Sequence, residues 1–324
     1  MLVIASNDED YEMIKLNKLA SIALMLALPF CGFSAVADTL SEIMEDMGYP
    51  SEMIDLFSPQ SKIPNRGSVE PARQVRAEGW EWDHEVRVYL PASYHHSKKS
   101  YPTLWVTDNA LELAQTALAG QAFGSSELII VAVGAPASVN AAENQRRRTY
   151  DFIPDGSLMG PVYAAIHPRE ALGGAPGFLD FLVNQLRPML AKEYRMDLND
   201  QGYAGHSGGG QFGLYILLNK PESFDKYIIS SPATYQPYLD MEERWYADNK
   251  DLKARVFMSA GEGEAAHPLW SASQVVSTVA TMADRLTVRK YPSLELTVKI
   301  FPDEDHFSVI PIAYTRGIRV LWGN

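Results

Sequence analysis

Hydrophobic residues recur along this chain in two patterns that both predict β-strands. Residues 85–91 and 294–301 alternate between apolar and polar, as strands with one buried face do. Continuous apolar runs are typical of strands that helices cover on both faces, and they lie at residues 101–107, 128–134, 227–232 and 254–260. Residues 201–204 lead into a glycine-rich stretch and predict one more strand.

Segments with apolar residues at helical spacing separate these strands. They lie at residues 110–118, 178–192, 212–218, 272–286 and 309–321. Strands that alternate with helices favour an α/β fold with a mostly parallel, twisted sheet and helices on both faces. We place this domain at residues 79–324, after a weakly patterned N-terminal extension at 38–78.

The first 37 residues have the layout of a secretory signal peptide. Lys15 and Lys18 precede the apolar run 19–28, and Ala35-Val36-Ala37 follows as a cleavage site. The run is short for a bilayer span, and an uncleaved N-terminal anchor is the alternative. The residues before Met13 are acidic, so translation from Met13 is a second possible start. We therefore expect a periplasmic or secreted protein with no stable membrane anchor after cleavage.

Composition narrows the classes of function. The chain has 324 residues, of which 46% are hydrophobic, and a formal net charge of −12. A chain this acidic is a poor partner for nucleic acid or for anionic membranes. Its single cysteine, Cys31, lies in the leader, so the mature chain is predicted to lack disulfides, thiolate metal sites and a cysteine nucleophile.

The sequence Gly205-His206-Ser207-Gly208-Gly209 carries the strongest chemical signal. This Gly-x-Ser-x-Gly pattern lies between a predicted strand and a predicted helix, which is the context of a nucleophile elbow. The glycines allow a sharp turn that lifts the serine hydroxyl out of the sheet. We therefore predict Ser207 as the nucleophile, against the alternative of a glycine-rich turn that only packs a helix on the sheet.

A serine nucleophile needs a histidine base and a carboxylate that holds the base in position. His306 follows the last predicted strand and is the predicted base, with His267 as the alternative. The acid should end the preceding strand, where Glu262 and Glu264 both qualify; we favour Glu264, three positions after Gly261. The order serine, acid, histidine is that of α/β-hydrolases.

With these residues in place, the chain resembles the esterase branch of the α/β-hydrolases. That branch holds siderophore esterases for enterochelin and salmochelin, feruloyl esterase-like proteins, S-formylglutathione hydrolase and the mycolyltransferases. The resemblance runs from about Glu85 to Trp322. It rests on Val-Tyr-Leu-Pro at 88–91, Tyr-Pro at 101–102, Asp108-Asn109, residues 148–154, the elbow at 205–209, Ser-Pro at 231–232, Gly-Glu-Gly-Glu at 261–264 and Pro-Asp-Glu-Asp-His at 302–306.

The resemblance implies where the remaining site residues lie. The backbone N–H of Gly208 and one from Asn109 or Ala110 would form the oxyanion hole, although relatives have Asp-Gly where this chain has Asp108-Asn109. Substrate contacts are expected from residues near the catalytic face, namely Arg148, Tyr150 and Tyr235. No metal or cofactor is expected.

The expected function is a serine carboxylic-ester hydrolase of the siderophore-esterase type, with a Ser-His-Glu triad, an acyl-enzyme and a small-molecule ester as its substrate. The sequence leaves two kinds of alternative open. One is another acyl-transfer enzyme, namely an acyltransferase or a feruloyl or acetyl-sugar esterase. The other is a non-catalytic binding protein on a hydrolase scaffold. The sequence does not define the oligomeric state.

We expect the exported protein to begin at Asp38, because Ala35-Val36-Ala37 presents small residues at the cleavage position. N-terminal sequencing of the exported protein checks this expectation. A mature chain that begins upstream of Asp38 would contradict the assignment of the cleavage site.

Overall fold

A nine-stranded sheet organises the residues that the computed structural model describes, which are 67–108, 110–111, 114, 127–155, 172–232 and 236–323. In chain order the strands are β1 (Ser68–Val69), β2 (Arg73–Arg76), β3 (Asp83–Leu90), β4 (Tyr101–Thr107), β5 (Ile129–Gly134), β6 (Met196–His206), β7 (Lys226–Ser230), β8 (Ala254–Gly261) and β9 (Leu294–Phe301). Across the sheet they follow the order β1-β3-β5-β4-β6-β7-β8-β9, and β2 also pairs with β3.

The sheet is mostly parallel, which confirms the predicted fold class. Strand β3 runs antiparallel to β1, β2 and β5, whereas all pairs from β5 through β4 to β9 are parallel. Parallel strands end at the same edge, so the carboxyl ends of β4, β6, β7, β8 and β9 lie together. Side chains that follow these strands are the candidates for a common site.

Helices cover both faces of the sheet. They are α1 (Ala141–Phe152), α2 (Ala175–Asp180), α3 (Arg187–Ala191), α4 (Gly208–Asn219), α5 (Gln236–Asp248), α6 (Pro268–Ala272), α7 (Val275–Arg289) and α8 (Val309–Trp322). A π-helical segment, Phe181–Leu186, joins α2 to α3. Short 3₁₀ turns lie at Tyr94–His96, Pro221–Ser223 and Glu262–Ala265.

Two hydrophobic layers hold the helices to the sheet. On one face, side chains of α2, α4 and α7 such as Phe178, Phe212 and Met282 pack with inward residues of the strands. On the other face, α8 packs with Leu104, Val106 and Phe257. Strands β4 and β5 supply side chains to both layers, which explains their continuous apolar runs.

The structure adds two features to the sequence pattern. Helix α1 forms where the pattern gives only a polar stretch, because it is stabilised by polar contacts: the Asn140 side chain accepts from the Glu143 N–H at 2.9 Å. Asn followed three residues later by Glu is a helix-start signal that identifies this element. In addition, the sheet includes β1 and β2, which precede Gly79 in the chain, whereas the sequence pattern placed the start of the domain at Gly79. They are too short to show a clear alternation.

Several predicted features lie outside the described residues. They are the leader at 1–37, the extension up to residue 66, Asn109, Tyr235 and most of the predicted helix at 110–118. Within the described ranges, no helix combines the length and the apolar character needed to cross a membrane.

Replacing Gly202 by alanine should destabilise the sheet. A Cβ at this β6 position would lie 2.3 Å from Cη2 of Trp322, a buried side chain of α8. Such overpacking typically costs about 1–3 kcal/mol of unfolding free energy, which urea denaturation measures. In a Trp322→Leu background the same replacement should cost at least about 0.5 kcal/mol less, since the two sites share the contact. Equal costs in both backgrounds would contradict the packing explanation.

Candidate active site

Ser207 occupies a strained turn between β6 and α4. Its backbone has φ 56° and ψ −117°, a conformation that a residue with a side chain rarely adopts. Strain of this kind typically costs about 1–3 kcal/mol and persists where the surroundings impose it. Here the Ser207 N–H donates to the carbonyl of Ser230 at 2.9 Å, which ties the turn to the end of β7.

The glycines of the motif allow this turn because backbone and side-chain atoms approach them at close range. A Cβ on Gly205 would lie 2.3 Å from the carbonyl oxygen of Gly209. A Cβ on Gly209, the last glycine of the motif, would lie 2.6 Å from Oγ1 of Thr107. The Gly-x-Ser-x-Gly pattern therefore reflects real steric constraints, and Gly208 begins α4 directly after the serine.

His306 and Glu264 meet in a buried contact at the same edge of the sheet. His306 Nδ1 contacts Oε1 of Glu264, and both side chains are almost fully buried. The second carboxylate oxygen of Glu264 accepts from the Ser231 hydroxyl at 2.9 Å and from the Gly261 N–H at 2.7 Å. Both oxygens of this carboxylate thus have polar partners, which makes its burial tolerable.

The structure separates the alternatives that the sequence left open. Glu262 lies in the same 3₁₀ turn as Glu264, but it is exposed. His267 is also exposed, and its Nδ1 accepts from the N–H of Leu269 at 3.3 Å at the start of α6. Of the four candidates, His306 and Glu264 are the two that the fold brings together.

Two aromatic rings hold the imidazole of His306 in place. Trp270 stacks on it, with ring centroids 3.6 Å apart and an interplanar angle of 17°. The ring of His206, the residue before the serine, lies 4.6 Å away between centroids. His206 Nδ1 in turn lies 3.0 Å from the hydroxyl of Ser230. The sequence contained no signal for the Trp270 stack, because α6 approaches His306 only through the tertiary fold.

Two of the predicted oxyanion-hole residues are described: Ala110 follows β4, and Gly208 follows β6. Asp108 follows β4 with a φ of 62°, and the N–H of Ala110 donates to the Thr107 carbonyl at 3.2 Å within this turn. That bond engages the N–H of Ala110, and Asn109 lies outside the described residues. The backbone of Gly208 begins a helix, where N–H groups have no partner within the helix.

Arg148 projects from α1 to these strand ends. Its Nε donates to Oδ1 of Asp108 at 2.6 Å and its Nη2 to Oδ2 at 3.0 Å. A cavity of about 230 Å³ lies beside this pair, and its walls include Trp82, His84, Asn144, Arg147 and Phe178. Tyr150, predicted as a substrate contact, packs edge-on against Trp80 and Trp82 instead of lining the cavity.

The described residues offer no group of three or more His, Cys, Asp or Glu side chains that could hold a metal ion. The arrangement that they do form is a strained serine, a buried histidine and a buried carboxylate at one edge of a parallel sheet. Such an arrangement can carry out acyl transfer through a serine nucleophile.

Comparison with known proteins places the chain in a family. The model of the family described as "Putative esterase" matches residues 77–293, and the chain belongs to that family. A siderophore triacetylfusarinine C esterase of Aspergillus fumigatus is 29% identical over 247 residues, which cover 68% of this chain and 81% of the relative. A ferri-bacillibactin esterase of Bacillus subtilis is 30% identical over 152 residues, 45% of this chain and 51% of that protein.

Solved structures support the fold. A siderophore hydrolase from Aspergillus nidulans superposes with a TM-score of 0.66 at 24% identity and covers 78% of this chain and 93% of its own. A BES protein from Bacillus cereus gives a TM-score of 0.65 at 25% identity, with 78% of this chain and 94% of its own covered. The comparisons confirm the predicted esterase family, the α/β-hydrolase fold and the enzyme class of ester hydrolase.

Replacing His206 by glutamine should make the unfolding free energy less sensitive to acidic pH. Burial, reinforced by the charges of His306 and Arg148, holds the pKa of His206 well below its ordinary value. Below about pH 6.5 the unfolded chain therefore binds a proton at this position that the folded chain does not, so stability falls as the pH falls. The variant's unfolding free energy should decline less steeply between pH 6.5 and 5, by up to about 1.4 kcal/mol per pH unit.

Urea denaturation across this pH range measures the slope for both proteins. His96→Gln, a replacement at an exposed turn, controls for the loss of one imidazole from the chain. A His206→Gln slope equal to that of the parent protein would contradict the account.

Proposed function

We propose that this protein is an exported serine carboxylesterase of the siderophore-esterase type, with Ser207 as its nucleophile. The observation that carries the proposal is the buried His306–Glu264 contact beside the strained Ser207 turn. A histidine and a carboxylate are costly to bury, and their placement at the sheet edge where the nucleophile strand ends has a direct chemical use.

In the proposed mechanism, the hydroxyl oxygen of Ser207 attacks the ester carbonyl carbon while His306 Nε2 accepts the hydroxyl proton. Glu264 keeps the proton on Nδ1 and stabilises the imidazolium. The N–H of Gly208 and a second N–H, which the sequence assigns to Asn109 or Ala110, would stabilise the oxyanion, each by about 3–4 kcal/mol. The tetrahedral intermediate then collapses, and His306 returns the proton to the departing alcohol.

The acyl group is now bound to Ser207 as an ester, and a water molecule completes the cycle. His306 removes a proton from the water as it attacks the acyl carbon, and the second tetrahedral intermediate releases the acid and regenerates the serine. The same residues act in the acylation and the deacylation of Ser207, so His306 is the base in both steps. None of these steps requires a metal or a cofactor.

The substrate proposal rests on the relatives. The matched proteins of Bacillus subtilis and Aspergillus fumigatus are esterases of ferri-bacillibactin and of triacetylfusarinine C. We propose a siderophore ester as the substrate class. A contact between Arg148 and an anionic group of the substrate remains a hypothesis, and Asp108 already accepts from two of its nitrogens. Tyr150 and Tyr235 remain hypotheses of the same kind.

Export is a further part of the proposal, and it is supported by the leader-like residues 1–37 and by the absence of cysteine after Cys31. An oxidising compartment favours a chain without free thiols.

A fluorophosphonate probe should label the protein at Ser207, and Ser207→Ala should abolish labelling. Both Ser207→Ala and His306→Ala should lower kcat/KM for p-nitrophenyl butyrate by at least about 10³-fold, since the residues act as one unit. Persistent labelling or hydrolysis in Ser207→Ala would refute the proposed nucleophile.

The acid is tested by a matched pair of variants. Glu264→Gln should lower kcat by about 10²–10⁴-fold, because an amide cannot stabilise the imidazolium or fix its tautomer. Glu262→Gln, two positions away and exposed, should retain nearly full activity. Loss of activity in Glu262→Gln but not in Glu264→Gln would identify Glu262 as the acid.

Hydrolysis of a ferric catecholate or hydroxamate siderophore ester, compared with hydrolysis of feruloyl and acetyl-sugar esters, tests the substrate class.

A further inference from the structure

We propose that Trp270 is a positioning residue that stabilises the positive charge which His306 gains during the reaction. The inference rests on the proposed function, in which His306 takes the proton of Ser207. It goes beyond the packing of the ring, because it concerns the charge of the base and predicts an effect on the rate of the chemical steps.

The first observation is the face-to-face geometry of the two rings. The indole of Trp270 and the imidazole of His306 have centroids 3.6 Å apart and an interplanar angle of 17°. The face of an aromatic ring is the negative side of its quadrupole, and its edge is the positive side. A cation over this face is attracted, and among the aromatic side chains tryptophan attracts it most strongly. A protonated His306 would lie in such a position.

The second observation is that the imidazole is buried. Only 2% of His306 is exposed, so water contributes little to stabilising a charge on its ring. A charge in such surroundings depends on protein groups. Glu264 contacts the ring at Nδ1, whereas the indole covers one of its faces. The two contacts involve different parts of the imidazole, so they can stabilise the same charge together.

The third observation is that the acid and the indole come from one segment of the chain. The 3₁₀ turn that carries Glu264 is followed by α6, which carries Trp270. The N–H of Gly263 in this turn donates to the carbonyl of Glu304 at 2.9 Å, which ties the turn to the loop that contains His306. The fold therefore holds the acid and the indole against the same imidazole.

The other rings near His306 differ from the indole in charge or in geometry. Burial, reinforced by the charges of His306 and Arg148, holds the pKa of His206 well below its ordinary value, so His206 is neutral near pH 7 and does not repel a charge on its neighbour. The ring of Phe307 meets the imidazole in a T-shaped contact at 84°, with centroids 5.5 Å apart. Of these three rings, the indole is the one that lies nearly parallel to the imidazole.

The extra attraction exists only while His306 is charged. A neutral imidazole gains mainly dispersion energy from the stack, whereas an imidazolium also gains the attraction between its charge and the quadrupole of the indole. Nε2 of His306 takes a proton as the attacking oxygen bonds to the carbonyl carbon, and it gives the proton to the departing oxygen. The contact thus lowers the barrier without tightening the binding of the substrate.

Fluorinated tryptophan isolates this electrostatic effect, because fluorine withdraws electron density from the face of the indole and nearly preserves its shape. Protein can be produced with tryptophan that carries one, two or three fluorine atoms on the benzo ring. Its kcat for p-nitrophenyl butyrate should fall by about 1.5- to 2-fold per fluorine. KM should stay within about 2-fold, since the ground state contains no charged base. The fluorophosphonate should label Ser207 more slowly in the same order.

A matched background assigns the effect to Trp270, since the chain contains six tryptophans. In Trp270→Phe, fluorination of the remaining tryptophans should leave kcat unchanged. Trp270→Phe keeps a smaller aromatic face and should itself lower kcat by about 2- to 5-fold, whereas Trp270→Leu should lower it by about 5- to 30-fold. If Trp270→Leu does not fold, the fluorinated proteins decide the question, because they keep the shape of the side chain.

Two results would overturn the inference. One is a kcat that does not depend on the number of fluorine atoms in the otherwise unsubstituted protein. The other is an equal dependence in the Trp270→Phe background, which would place the effect at another tryptophan. Either result, in a protein whose Ser207 still reacts with the fluorophosphonate, leaves the proposed esterase function intact. Failure of the unsubstituted, unfluorinated protein to react or to hydrolyse esters would instead refute the proposed function itself.

Discussion

The N–H of Ser207 donates to the carbonyl oxygen of Ser230, and this bond ties the turn after β6 to the end of β7. A serine with positive φ is unfavourable by itself, so the surrounding sheet must impose it. The parallel pairing of Gly205 with Ile229 and of His206 with Ser230 aligns the carboxyl ends of β6 and β7. The position of the hydroxyl thus depends on strand register, which the hydrophobic layers on both faces stabilise.

The same sheet edge explains why Glu264 and His306 can share a buried contact. They come from turns after β8 and β9, strands that pair in parallel over their whole length from Ala254 to Gly261. Ser231, just after β7, also donates to Glu264. Three successive strands therefore contribute to the environment of one carboxylate. A buried charge of this kind is tolerated because each contribution is a directed hydrogen bond or an ionisable partner.

Much of this arrangement was predictable from the sequence, because periodicity and glycine spacing are local signals. Strands β4 and β9 have the bounds that their apolar patterns indicate, and the elbow lies where the motif places it. Helix α1 was not predicted, since its stability comes from an N-cap and from Glu143–arginine pairs and not from an apolar stripe. The spacing from Gly261 favoured Glu264 over Glu262, and the orientation of one 3₁₀ turn, which buries Glu264 and exposes Glu262, comes only from the tertiary structure.

The stack of Trp270 on His306 illustrates the part of the site that only the tertiary fold creates. The indole covers one face of the imidazole, and His206 lies against it at an angle of 51°. A base that contacts two rings and is bonded at Nδ1 has little freedom to rotate. In the proposed mechanism it must accept a proton from Ser207 and deliver it to the leaving group without reorienting, so restricting the ring lowers the entropic part of the barrier. Trp270 of α6 and His206 of the elbow thus add to the orientation of His306 that Glu264 provides.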